Sequence, residues 1–123
     1  MKTGIELIAQ ERKEQIEKHG IAIMEDVQNN DYGQLRIAAC WMMPASDENY
    51  QQGEYHESEI EELLKACPPD WSKELWGYMV NKSTKERLII AGALIAAELD
   101  RMIALENILE LNRMHTELDK DGI

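Results

Sequence analysis

The sequence predicts an all-α protein, and three observations predict it. Apolar residues recur at steps of three and four along most of the chain, while period-two alternation is almost absent. Ser or Thr followed three residues later by Glu opens several of these stretches, a helix-start signature. The stretch from Thr84 to about Leu118 carries helical spacing without a Gly-Pro break, so a helix of roughly 50 Å is expected.

The elements follow in order. Thr3 with Glu6 fits a capping box, and Ile5, Ile8, Arg12 and Ile16 repeat at helical spacing as far as His19-Gly20. Asn29-Asn30-Asp31 is a turn and N-cap cluster, from which Leu35, Ala38, Ala39 and Met42 form a second amphipathic helix stopped by Pro44. Residues 46–57 are polar and aperiodic and read as a loop. Ser58 and Glu61 open a short helix with Ile60, Leu63 and Leu64 inward, closed by Cys67-Pro68-Pro69. Trp71 to Trp76 reads as a further short helix or turn whose indoles clamp the loop to the bundle.

Ser83 and Glu86 then cap the long helix. Leu88, Ala91, Ile95, Leu99 and Met102 form its expected inward stripe, with Glu98 at the edge. A carboxylate there is costly unless a metal ion, a basic partner or the protein surface compensates it. Gly92 is a close-packing position. The second half of this helix, with Met102, Leu105, Leu109 and Leu111 among charges, exceeds what a compact bundle needs and is expected to pack on another subunit. The chain is thus read as a single domain over 1–123, with a bundle core at about 3–103 and a helical extension and tail at 104–123.

The chain has 123 residues, with Lys plus Arg 13 against Asp plus Glu 24 and a net charge of −11. Such a balance argues against duplex nucleic acid or an anionic membrane as partner, since neutralising phosphates needs a basic footprint. A small polyanion bound through divalent cations remains compatible with it. No apolar run approaches the ~20 residues that span a bilayer. Met1-Lys-Thr-Gly-Ile-Glu6 reaches acid too early for a signal peptide, so a cytoplasmic protein is expected. Cys40 and Cys67 lack metal or redox spacing and read as two reduced, buried thiols.

Acids at helical spacing are the residues able to carry chemistry. Glu11 and Glu14 share a face of the first helix, and Asp31 precedes Gln34 by three. Glu98 and Asp100 lie about 200° apart on one helix and cannot easily share one metal. Magnesium prefers hard oxygen ligands, and facing helices of a bundle can supply them. Solvated faces are the alternative, because acids are abundant. The histidines His19, His56 and His115 are scattered, and no nucleophile–base signature accompanies either cysteine.

Glu11-Arg12-x-x-Gln15, His19-Gly20, an acidic turn at Met24-Glu25-Asp26-Val27, and Gly33-Gln34-Leu35-x-x-Ala38-Ala39 together resemble a phage and bacterial family. That family lies within the MazG-like all-α nucleoside triphosphate pyrophosphohydrolases. Arg87-Leu-Ile-Ile-Ala-Gly-Ala-Leu-Ile-x-Ala-Glu98-x-Asp-Arg101 extends the resemblance, which covers roughly residues 3–103. It implies an oligomeric helical bundle that binds magnesium and releases pyrophosphate from a nucleoside triphosphate. Carried over by position, Glu11 and Glu98 would be catalytic and Arg12, Gln15 and Arg101 would bind substrate. Glu11, Asp26 (or Glu25 in its place), Gln34 and Glu98 would hold the metal. Two positions depart from the family pattern: Gln34 stands where the family has Glu, and Ile90 where it has Lys. A degenerate relative, working as a nucleotide-binding or protein-interaction module in a homo-oligomer, is the alternative expectation.

Overall fold

A computed structural model describes residues 1–19, 33–43 and 57–120. The elements are α1 (Gly4–His19), α2 (Gln34–Met42), α3 (Glu57–Lys65), α4 (Lys73–Val80) and α5 (Thr84–Lys120), and no strand occurs among the described residues. The expected all-α class and long last helix are both present. At 37 residues, α5 extends about 55 Å.

Local chemistry starts these helices where the sequence signals it. The Glu6 backbone N–H donates to Thr3 Oγ1 at 3.2 Å, and the Glu86 N–H donates to Ser83 Oγ at 3.3 Å. Ser72 caps α4 by accepting from the Leu75 N–H at 3.2 Å. Each of these bonds satisfies one of the donors that a helix start leaves open. Gly33 enters α2 at φ +78°, a left-handed conformation that a Cβ disfavours. The Asn29-Asn30-Asp31 cluster and most of the expected loop at 46–57 lie outside the described residues.

Helix α5 is the spine: α1, α2 and α4 pack on it, and α3 packs on α4. The core joins Leu35, Ala38, Ala39 and Met42 of α2 to Leu63 of α3, Trp76, Met79 and Val80 of α4, and Ile90, Ala91, Leu94 and Ala97 of α5. Trp76 is fully buried, and its indole Nε1–H donates to the Leu63 carbonyl at 2.6 Å. Its ring meets that of Trp71 edge-on, with centroids 6.2 Å apart. The two indoles therefore tie the 66–72 connection to the bundle, as expected.

On the α1 side, Gly92 admits Ile8. A Cβ at position 92 would lie 2.6 Å from Ile8 Cδ1 and 2.9 Å from its Cγ1. Helix α2 runs antiparallel to α5: Arg36 near its start reaches Glu98 and Met102, while the Trp41 carbonyl in its last turn accepts from Arg87 Nη2 at 2.6 Å. That guanidinium satisfies a carbonyl that the end of α2 leaves open.

Several expected faces are corrected. Of the anticipated inward stripe on α5, Leu88, Ile95 and Leu99 are about half exposed, and only Ala91 is buried. The inward face instead runs through Arg87, Ile90, Leu94, Ala97, Glu98 and Arg101. Both sets have helical spacing, and the placement of α1, α2 and α4 decides between them. On α1, Ile5 is 82% exposed and Ile16 is also exposed, while Arg12 and Gln15 are buried. Leu64 faces outward on α3. The thiols also differ from expectation, since Cys40 is exposed and Cys67 half-buried.

Candidate functional site

The polar residues that helical spacing had placed among apolar ones converge on two carboxylates of α5. Glu98 is buried, and both of its oxygens accept from arginine. Arg36 Nε of α2 donates to Oε2 at 3.0 Å, and Arg101 Nε, one turn along α5, donates to Oε1. Arg101 is buried like Glu98, whereas the Arg36 side chain is 61% exposed and lies on the solvent side of the pair. Of the three ways to compensate Glu98, the described geometry uses basic partners. Arg36 is further held by a contact of its Nη2 to Met102 Sδ at 3.6 Å.

Asp100 serves the other flank. Its Oδ2 accepts from Nε and Nη2 of Arg12 on α1, both at 3.4 Å. Two residues turn a helix by about 200°, so Glu98 and Asp100 point to different neighbours. One acid fastens α2 to the spine and the other fastens α1. Among the described residues, three guanidiniums thus face these two carboxylates.

The sequence-derived site residues divide accordingly. Glu98 and Arg101 are brought together, while Arg12 is taken by Asp100. Gln15 is buried on the same face of α1 as Arg12, and Gln34 is wholly buried at the start of α2. Glu11 is half-buried, and its charge acts on Lys82 just before α5. The Lys82 ammonium is held above its ordinary range, first by its hydrogen bond to the Tyr78 hydroxyl and more weakly by Glu86 and Glu11. Lys82 also pairs with Glu86, which lies about 18 Å along the helix rise from Glu98. Asp26 and Glu25 lie outside the described residues.

A magnesium ion would need several hard oxygens around one point. No three His, Cys, Asp or Glu side chains gather in that way among the described residues. Glu98 would have to exchange an arginine to take part. The described donors do not fit a magnesium ion. Ile90, at the position of the family's Lys, belongs to the apolar core beside Leu35 and Ala38, so that position faces no solvent-borne phosphate.

Sequence reasoning passed over Arg36 and weighed Asp100 only as a possible metal ligand. The local pattern holds no signal for either role, because each partner lies more than 60 residues away.

The molecule is an all-helical protein built on one long C-terminal helix, with an arginine–carboxylate layer between its packed elements. In comparisons with protein-family models, curated proteins and solved structures, nothing matches the chain.

Proposed function

We propose that this chain is a nucleotide-binding bundle of the MazG-like kind, in which phosphate binding outlasts pyrophosphate release. The observation that carries the reading is the surrounding of Glu98, a buried carboxylate whose two oxygens are already held by Arg36 and Arg101. A carboxylate so engaged is a poor candidate to clamp a metal or orient water. Arg36 is the cation of this layer that a solvent-borne phosphate can reach, because Arg12 and Arg101 are buried. The burial of Ile90 in the core supports the same view, since it removes the cation that the resemblance would place there.

A second reading is the full reaction, magnesium-dependent release of pyrophosphate from a nucleoside triphosphate. Its support is the motif resemblance together with Glu11, Arg12 and Gln15, which recur at helical spacing on α1 with Arg12 and Gln15 buried.

One experiment separates the readings. The purified chain is titrated with a panel of ribo- and deoxynucleoside triphosphates, with and without magnesium, and pyrophosphate is measured in parallel. Binding that Arg36→Ala weakens about tenfold, a loss of one charged hydrogen bond, with no pyrophosphate above a Glu98→Ala control, supports the binding reading. Pyrophosphate release abolished by Glu98→Ala, in a variant that keeps its helical circular-dichroism signal at the assay temperature, supports the hydrolase reading instead. Absence of binding to any nucleotide rejects both.

A further inference from the structure

A buried carboxylate in a helical bundle is compensated either by a metal ion or by basic side chains, and the two solutions differ in geometry. At Glu98 the compensation is two arginines, one for each carboxylate oxygen. Arg101 comes from one turn along α5 and is itself buried, with side-chain exposures of 8% for the acid and 10% for the base. Arg36 comes from α2, 62 positions away, and its Nε–H donates to Oε2 at 3.0 Å. Its Nη2 also contacts Met102 Sδ at 3.6 Å. A guanidinium suits such a place better than an ammonium, because it is planar, weakly hydrated and always charged.

This arrangement and a divalent ion exclude each other. Magnesium binds oxygen at about 2.1 Å, so an ion on Oε2 would stand within about 5 Å of Arg36 Nε. Like charges at that range repel strongly in a partly buried setting. No further acid offsets the repulsion: among the described residues no three His, Cys, Asp or Glu side chains gather. Asp100, two residues on, is turned to Arg12.

We infer that Arg36 and Arg101 take the place of a divalent cation at Glu98, and that the polyphosphate this chain binds is the metal-free anion, with magnesium a competitor for its phosphates. For its ligand, though not for the role of the arginines, this rests on the nucleotide-binding reading. A guanidinium has five N–H donors. With 61% of its side chain exposed, Arg36 can keep Glu98 and meet a phosphate oxygen at once. Metal-free phosphate oxygens carry full charge and accept the stronger, charge-assisted bond. Magnesium drawn onto them lowers that charge.

Two measurements on the full chain test this, both at one ionic strength so that screening is constant. In the first, manganese(II) is added alone and its free fraction is followed by paramagnetic resonance. No ion is expected to bind tighter than about 10⁻⁴ M, toward the weak end of protein oxygen sites. A tighter ion overturns the inference. In the second, adenosine triphosphate and inorganic tripolyphosphate are titrated by calorimetry, first with a chelator and then with excess magnesium. Metal-free binding is expected to be about fivefold tighter, the difference between a charged and a neutral hydrogen bond. Arg36→Ala, with its helical circular-dichroism signal intact, is expected to erase that difference. Binding that needs magnesium or is tighter with it overturns the inference while the nucleotide-binding reading stands. So does a difference that survives Arg36→Ala. Absence of binding in both conditions rejects that reading instead, and the manganese result then decides the role of the arginines by itself.

Discussion

Arg36 Nε lies 3.0 Å from Glu98 Oε2, joining an exposed guanidinium on α2 to a buried carboxylate on α5. The two partners contribute unequally because their solvation differs. Arg36 keeps most of its hydration when the pair is broken, but Glu98 and Arg101 do not. Loss of the exposed end should therefore be mild, and loss of the buried acid severe.

Arg36→Ala is expected to cost less than about 1 kcal/mol in urea unfolding, as for partly exposed ion pairs. Glu98→Ala should cost about 3 kcal/mol or more, because it strips a buried Arg101 of this carboxylate. Equal losses for the two variants would show that Glu98 is not sealed beneath Arg36.

The Gly92–Ile8 contact makes a second prediction. Gly92→Ala places a methyl 2.6 Å from Ile8 Cδ1 and 2.9 Å from Cγ1, so α1 or the Ile8 side chain must shift. Overpacking of this kind costs about 1–3 kcal/mol, partly offset by the better helix propensity of Ala. Thermal denaturation of Gly92→Ala, with and without Ile8→Ala, checks this. Truncating Ile8 should recover much of the loss if the clash is its cause.

The thiols give a prediction in pH. Burial holds the Cys67 thiol above its ordinary range, against a smaller opposing pull from Lys73. At a given alkaline pH, Cys67 then carries less thiolate than it would unfolded. A disulfide reagent should label exposed Cys40 first and Cys67 more slowly, with a gap that closes in denaturant. The linkage has a definite sign. Folding retains the proton, so this thiol leaves stability unchanged below its unfolded pKa and lowers it as pH rises above that value. Equal labelling rates in the folded chain would contradict the assigned burial.

What was legible in the sequence was local. The Thr3–Glu6 and Ser83–Glu86 caps, the extent of α5 and the inward face of α2 all depend on residues within about four positions of one another. Leu35, Ala38, Ala39 and Met42 could be assigned inward because the rest of α2 offers no equally regular apolar stripe. On α5 that condition fails. Leu88, Ile95 and Leu99 repeat as regularly as Ile90, Leu94 and Ala97, so periodicity alone does not choose a face.

The sequence by itself determined that this protein is helical, where its first and last helices begin, and that an acid would sit beside an apolar stripe at position 98. Helix propensity, capping and spacing act over single turns, and so they are written in the order of the residues. Only the tertiary structure decided which face of α5 is buried and what compensates Glu98. Those outcomes rest on α1, α2 and α4 arriving from elsewhere in the chain, with Arg36 standing 62 residues from the carboxylate it meets. Burial of a charge is tolerated where opposite charge reaches it, and that reach is a property of packing.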